Sequence, residues 1–306
     1  MSPAYVPIRP TTTRRLPVRG LQLHLQTWGS ADQATAERPT LVLVHGWMDV
    51  GASFQFLVDA LAGLEGPVRH IIAPDWRGFG LSDNSGADSY WFPDYLGDLD
   101  ALLDAVSPGQ PVDLLGHSMG GNVVMSYAGV RPGRIRRLIN LEGFGLPAAP
   151  PEDAPKRMAK WLDELKQPAS LRHYASLADV VDRLVANNPR LPRDKAAWLA
   201  PHWARQAADG RWHILGDAAH KRTNPVPYRV DEVLATWRAI TAPLLWVEGG
   251  ETRMADWWAG RFSRPEFGQR LGAVARVQEA LIPQAGHMLH HERPLELAQL
   301  VANFLA

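Results

Sequence analysis

The run Gly116-His117-Ser118-Met119-Gly120-Gly121, directly after the largely apolar stretch 112–115, constrains the fold of this chain more than any other feature. A serine flanked by glycines two residues away on either side, at the junction of a buried strand and a helix, defines a sharp strand-turn-helix with the serine exposed at its crest. The serine must adopt a strained backbone there, and the glycines let strand and helix approach closely. Such a turn requires a parallel sheet with helices packed against it.

The remaining sequence supplies that sheet. Short β-type runs alternate with helical patterns, the signature of a mostly parallel sheet covered on both faces, an α/β class. Leu21, Leu23 and Leu25 alternate with polar residues and predict an edge strand with one wet face. Residues 40–44 and 68–73 read as strands, 52–61 and 92–106 as helices, and the latter carries Tyr95, Leu96, Leu99, Leu102, Leu103 and Val106 on one stripe. Strand 135–141 follows the helix after Gly120. At Leu146 the character changes: Pro147, Pro150, Pro151 and Pro155 break the chain, and helical patterns at 155–165, 177–186 and 195–206 then run without strong strands to about Trp237. We read 146–241 as an inserted helical cap, with 1–145 and 242–306 as the core that it interrupts. Its tryptophans, Trp161, Trp198, Trp203 and Trp212 with Trp237 at the exit, either pack the cap onto the sheet or line an apolar pocket. Strands at 243–247 and 276–282 and a final helix at 294–305 complete the pattern.

Composition excludes several classes. The 306 residues carry 32 basic and 32 acidic side chains, so no global field would attract nucleic acid or an anionic membrane surface. The absence of cysteine rules out disulfides, thiolate zinc sites and a cysteine nucleophile. Residues 1–20 lack an apolar export segment, and Arg14-Arg15 is not followed by one, so a cytoplasmic location is the default expectation. No apolar run reaches the roughly 18 residues of a membrane span.

Ser118 needs partners, and the sequence offers candidates for each. Val44-His45-Gly46-Trp47 ends the first buried strand in a glycine turn, and the backbone amides of Trp47 and Met119 form the natural pair of donors for an oxyanion; His45 itself reads as a residue that orders the loop. Ala285-Gly286-His287-Met288, between the last strand and the final helix, supplies the base, His287. His290 and His291 lie close enough to suggest a metal site, but three histidines in one loop without a cysteine are poor zinc spacing. An acid is expected after the strand beginning at Pro243, in a Gly-x-x-Asp turn, where this chain has Gly249-Gly250-Glu251-Thr252. Thr252 cannot carry the charge and Glu251 is one residue off register. Asn140-Leu141-Glu142-Gly143 instead ends the strand beside that of Ser118 in a carboxylate, so Glu142 is the expected acid and Glu251 the lesser candidate. The competing role for Glu142 is an ion pair with Arg136 or Arg137.

These motifs, in order, resemble those of the α/β-hydrolases with a cap, and among them the serine hydrolase-like, or kraken-like, branch. His45-Gly46-Trp47-Met48-Asp49 with Ser53-Phe54, Asp75-Trp76-Arg77-Gly78-Phe79-Gly80-Leu81-Ser82, the Ser118 turn and Gly286-His287 carry the likeness. Asn187-Asn188-Pro189-Arg190-Leu191, Tyr228-Arg229 and Trp237-Arg238-Ala239-Ile240 extend it through the cap. The resemblance implies the α/β-hydrolase fold and an acid at the end of the strand bearing Glu142; the Asp75 segment reads as a structural turn. A serine at the nucleophile position disfavours dehalogenase and epoxide hydrolase chemistry, which uses an aspartate there, and points to an acyl-enzyme. Carboxylester hydrolysis of a small hydrophobic substrate is the expectation, with no cofactor and no metal. Thioester, lactone or carbon-carbon bond hydrolysis, and a non-catalytic ligand sensor on the same fold, are the alternatives.

Overall fold

A computed structural model describes residues 4–64 and 69–306. The chain folds in the order β1 (Thr12–Val18), β2 (Leu21–Trp28), β3 (Leu41–Val44), α1 (Gln55–Ala62), β4 (Ile71–Pro74), α2 (Phe92–Val106), β5 (Val112–His117), α3 (Met119–Val130) and β6 (Ile135–Leu141). Then come α4 (Ala154–Leu165), β7 (His173–Tyr174), α5 (Leu177–Asn187), α6 (Arg193–Trp203), β8 (Ala204–Gln206), β9 (Trp212–Ile214) and α7 (Val230–Arg238). Last are β10 (Leu244–Gly249), α8 (Met254–Trp257), α9 (Arg264–Leu271), β11 (Val277–Ile282), α10 (Leu289–Glu292) and α11 (Pro294–Leu305). Eight strands form one sheet in the order β1-β2-β4-β3-β5-β6-β10-β11, parallel from β4 to β11, with β1 and β2 antiparallel.

Burial on both faces explains why β3 and β4 are continuous apolar runs rather than alternating ones. One face packs Val42, Leu114 and Leu138 against Leu99, Leu102 and Leu103 of α2 and Val123, Val124 and Ala128 of α3. The other packs Leu43, Leu115 and Ile139 against Leu57 and Val58 of α1 and Leu297 and Val301 of α11. A third cluster joins α5 and α6 through Val180, Val181 and Leu199 to Val50 and Phe56 of the sheet region. The insertion is thereby anchored beside the carboxyl ends of β3 and β5, the edge at which open α/β sheets place their ligands. Among the described residues no helix is long and apolar enough to cross a membrane.

Three expectations need correction. The strand of Leu21, Leu23 and Leu25 is not the edge: β1 pairs along its whole length and takes the edge position. β1 escapes notice because Thr-Thr-Arg-Arg-Leu-Pro-Val has no apolar alternation, and Pro17 suits an edge strand that needs no further partner on that side. The strand read at 68–73 runs 71–74 instead; Val68 lies outside the described residues, as do residues 1–3 of the amino-terminal segment. The insertion is not purely helical. The helix read at 195–206 ends at Trp203, and Ala204–Gln206 joins β7 and β9 in a small antiparallel sheet, a run too short for periodicity to betray.

Candidate active site

Ser118 sits between β5 and α3 with φ 54° and ψ −115°, a conformation that non-glycine residues adopt only when their surroundings enforce it. Its amide donates to the Leu141 carbonyl at 2.8 Å and its carbonyl accepts from Asn122, so β6 and α3 hold the turn from both sides. The glycines make it possible. A Cβ at Gly116 would lie 2.3 Å from the Gly120 carbonyl oxygen, and one at Gly120 would lie 2.4 Å from that of Val44. No side chain fits either position.

The hydroxyl of Ser118 lies 3.0 Å from Nε2 of His287, and Nδ1 of His287 lies 3.0 Å from Oε2 of Glu142. His287 stands on the loop between β11 and α10, and Glu142 on the residue after β6. Glu142 has a left-handed backbone (φ 59°) that turns its side chain off the strand and under His287. The carboxylate is 1 % exposed, and its other oxygen accepts the Gly249 amide at 2.6 Å. Burial raises the Glu142 carboxyl to about 8, opposed by the Gly249 hydrogen bond, and burial lowers His287 to about 4. For the pair the direction that matters is the resting imidazole: it is neutral at pH 7 and free to accept a proton.

Two further contacts position His287. His117 donates from Nε2 to the His287 carbonyl at 2.8 Å, and the Trp257 indole stands edge-on to the imidazole with centroids 4.6 Å apart. Neither was visible in the sequence, although His117 is the residue between Gly116 and Ser118. The Gly286 amide donates to Glu292 at 2.7 Å, which fixes the start of the same loop.

Gly46 brings the β3 loop against Ser118, for a Cβ there would lie 3.0 Å from that of the serine. Trp47 and Met119 border the same cavity as Ser118. Met119 opens α3, so its N–H has no acceptor within the helix. His45 orders this loop: its Nε2 accepts the Trp76 amide at 2.9 Å, which leaves Nδ1 as the donor to the Gly46 carbonyl at 2.7 Å. Asp75 closes the neighbouring turn by accepting the amides of Gly51 and Leu81. Glu251 does not approach His287; its carboxylate bonds Arg190 at 2.5 Å at the surface. Arg136 pairs with Asp113 rather than with Glu142.

A cavity of about 1120 Å³ opens above Ser118, walled by Trp203 and Trp237 of the insertion and by Phe144, Leu184 and Leu199. The tryptophans thus divide between the two expected roles: Trp198 packs edge-on to Tyr5 and Phe56, and Trp161 bonds Ser89. Trp257 and Trp258, beyond the insertion, also line the cavity.

Beneath the floor, His117, His290 and His291 stack with centroid separations of 4.5 and 4.3 Å. Donor atoms of Asp49, His290 and His291 lie within 4.8 Å of one another, the one such grouping found among the described residues. Burial depresses the pKa of His45, His117, His290 and His291. A histidine kept neutral in the fold contributes stability above its unfolded pKa of about 6.5 and loses it as pH falls below that value. His287, lowered to about 4, adds to the same effect, and the raised Glu142 carboxyl works the other way. Lower stability at pH 5.5 than at pH 7.5 is expected in urea unfolding; equal stability at the two pH values would show that these rings are not held neutral.

Comparison with known proteins agrees with this architecture. The family model of the α/β hydrolase fold matches residues 39–294, and the chain belongs to that family. A serine hydrolase-like protein of Danio rerio is 25 % identical across the whole of this chain and 94 % of its own length. A 3-hydroxybutyrate-oligomer hydrolase of Cupriavidus necator is 26 % identical over 89 % of this chain and 88 % of its own. Among solved structures, the thioesterase domain from the curacin biosynthetic pathway superposes with a TM-score of 0.82 at 24 % identity, covering 96 % of this chain and 99 % of that domain.

Proposed function

We propose that this α/β hydrolase is a serine esterase that works through an acyl-enzyme, with Ser118 as nucleophile, His287 as base and Glu142 as acid. The observation that carries the reading is the relay itself, two contacts of 3.0 Å joining three residues from the ends of different strands. Glu142 accepts a hydrogen bond from Nδ1–H of His287 and so presents the Nε2 lone pair to Ser118. His287 removes the hydroxyl proton as Oγ bonds to the substrate carbonyl carbon, and the developing oxyanion takes hydrogen bonds from the amides of Trp47 and Met119. The imidazolium then protonates the leaving oxygen as its bond to carbon breaks. Water, deprotonated by the same imidazole, displaces Ser118 and releases the acid.

The insertion 146–241 acts as a cap over the core 1–145 and 242–306. Its apolar walls suit a hydrophobic acyl group, and the relative from Cupriavidus necator is named as a hydrolase of 3-hydroxybutyrate oligomers. The thioesterase domain keeps thioesters as a second class, because the steps up to the acyl-enzyme are shared. A fluorophosphonate should add one phosphonyl group to Ser118 in the intact enzyme, read by peptide mass spectrometry, and the protein should release 4-nitrophenolate from short esters. Binding of such esters without turnover would identify a sensor instead.

A further inference from the structure

The cavity above Ser118 is apolar in its walls but not neutral. Arg157, Arg172, Arg183, Lys221 and Arg229, all from the insertion, line it, and none makes an ion pair among the described residues. Arg157 donates to the Asn224 carbonyl, Lys221 to that of Ser170, and Arg172 lies over the Tyr174 ring. The side chains of Arg183 and Arg229 have no such commitment. Three acids, Asp49, Glu142 and Glu232, line the same cavity against the five cations; Asp49 accepts from Ser53 and Glu142 holds His287.

This imbalance does not follow from composition, since the chain holds equal numbers of acids and bases. Some arginines elsewhere are paired, Arg69 and Arg136 with Asp113, Arg77 with Asp98, Arg264 with Glu248 and Glu279, and others, among the described residues, are not; what sets the five apart is that they line one cavity. Arg183 and Arg229 are exposed at the cavity's lining; cations that line one cleft raise the local concentration of an anion, and the planar donor set of a guanidinium matches an oxyanion in two-point contact.

We propose that the substrate carries an anionic group, a carboxylate, sulfate or phosphate, remote from the reacting carbonyl and held by Arg183 and Arg229. The inference rests on the esterase reading of Ser118 and adds its substrate class. The charge could lie on the acyl side or on the leaving group, and two matched pairs separate these. The first compares 4-nitrophenyl hydrogen suberate with 4-nitrophenyl methyl suberate. The second compares octanoyl-phosphopantetheine with octanoyl-pantetheine.

In at least one pair kcat/KM should favour the charged member by about tenfold at low salt, and the preference should shrink as salt rises. Arg183→Gln and Arg229→Gln should each lower that charged-to-neutral ratio by about two- to fivefold, the range of a partly exposed charge pair. Turnover of the neutral members with no preference for charge in either pair would overturn the inference and leave the esterase reading standing. A preference that persists in the double variant would overturn the assignment to these arginines. Failure to turn over any of the four would count against the esterase reading itself.

Discussion

Ser118→Ala is expected to lower kcat for a 4-nitrophenyl ester by about five to six orders of magnitude, to the level that binding and the oxyanion donors sustain alone. The size of the effect follows from the relay acting as a unit: without Oγ, His287 has nothing to activate and Glu142 nothing to orient. Folding should be untouched, because the contact of the Ser118 side chain is with His287 and alanine inherits the same strained backbone. Circular dichroism and urea unfolding check the fold, and stopped-time nitrophenolate release checks the rate. Residual activity within tenfold of the parent would place the nucleophile elsewhere.

Glu142→Gln should lower kcat by about four orders of magnitude, while Glu251→Gln should change it little. The argument lies in the second oxygen of Glu142. The Gly249 amide already donates to it, so the single carbonyl of a glutamine is claimed by that amide and its NH2 faces His287 Nδ1. That NH2 can only donate. The imidazole is driven to the tautomer with a proton on Nε2, which cannot accept one from Ser118. Glu251 is spent on Arg190 at the surface, where a pair contributes about 0–1 kcal/mol. The opposite ranking in measured kcat would refute the assignment of the acid.

Much of this was legible in the residues. Val112 to Leu115 before Gly116 announced a buried strand, and the glycine spacing announced the turn. Glu142 could be found because a carboxylate directly after four largely apolar residues must meet a partner. Topology set the carboxylate beside Ser118, since β5 and β6 are neighbours with His117 opposite Leu141, and the loop after β11 brings His287 to it. What escaped had no periodic or pairwise signature. β1 lacks alternation, β8 is three residues long, and Asp49 meets His290 and His291 only because the β3 loop and α10 converge. The cavity cations were unreadable for the same reason: in sequence they are ordinary surface residues of separate elements, and only the fold brings them to the lining of one cavity.

The register of β5 and β6 also bears on how the enzyme could change over time. With Glu142 on β6, the loop after β10 has no charge to deliver: Thr252 closes a turn there and Trp257 walls the cavity. The proposed nucleophile and acid thus stand at the ends of adjoining strands, while the insertion, which among the described residues touches neither side chain by a hydrogen bond, is left to selection for what enters. New specificities can then arise by substitution in the insertion without disturbing proton transfer.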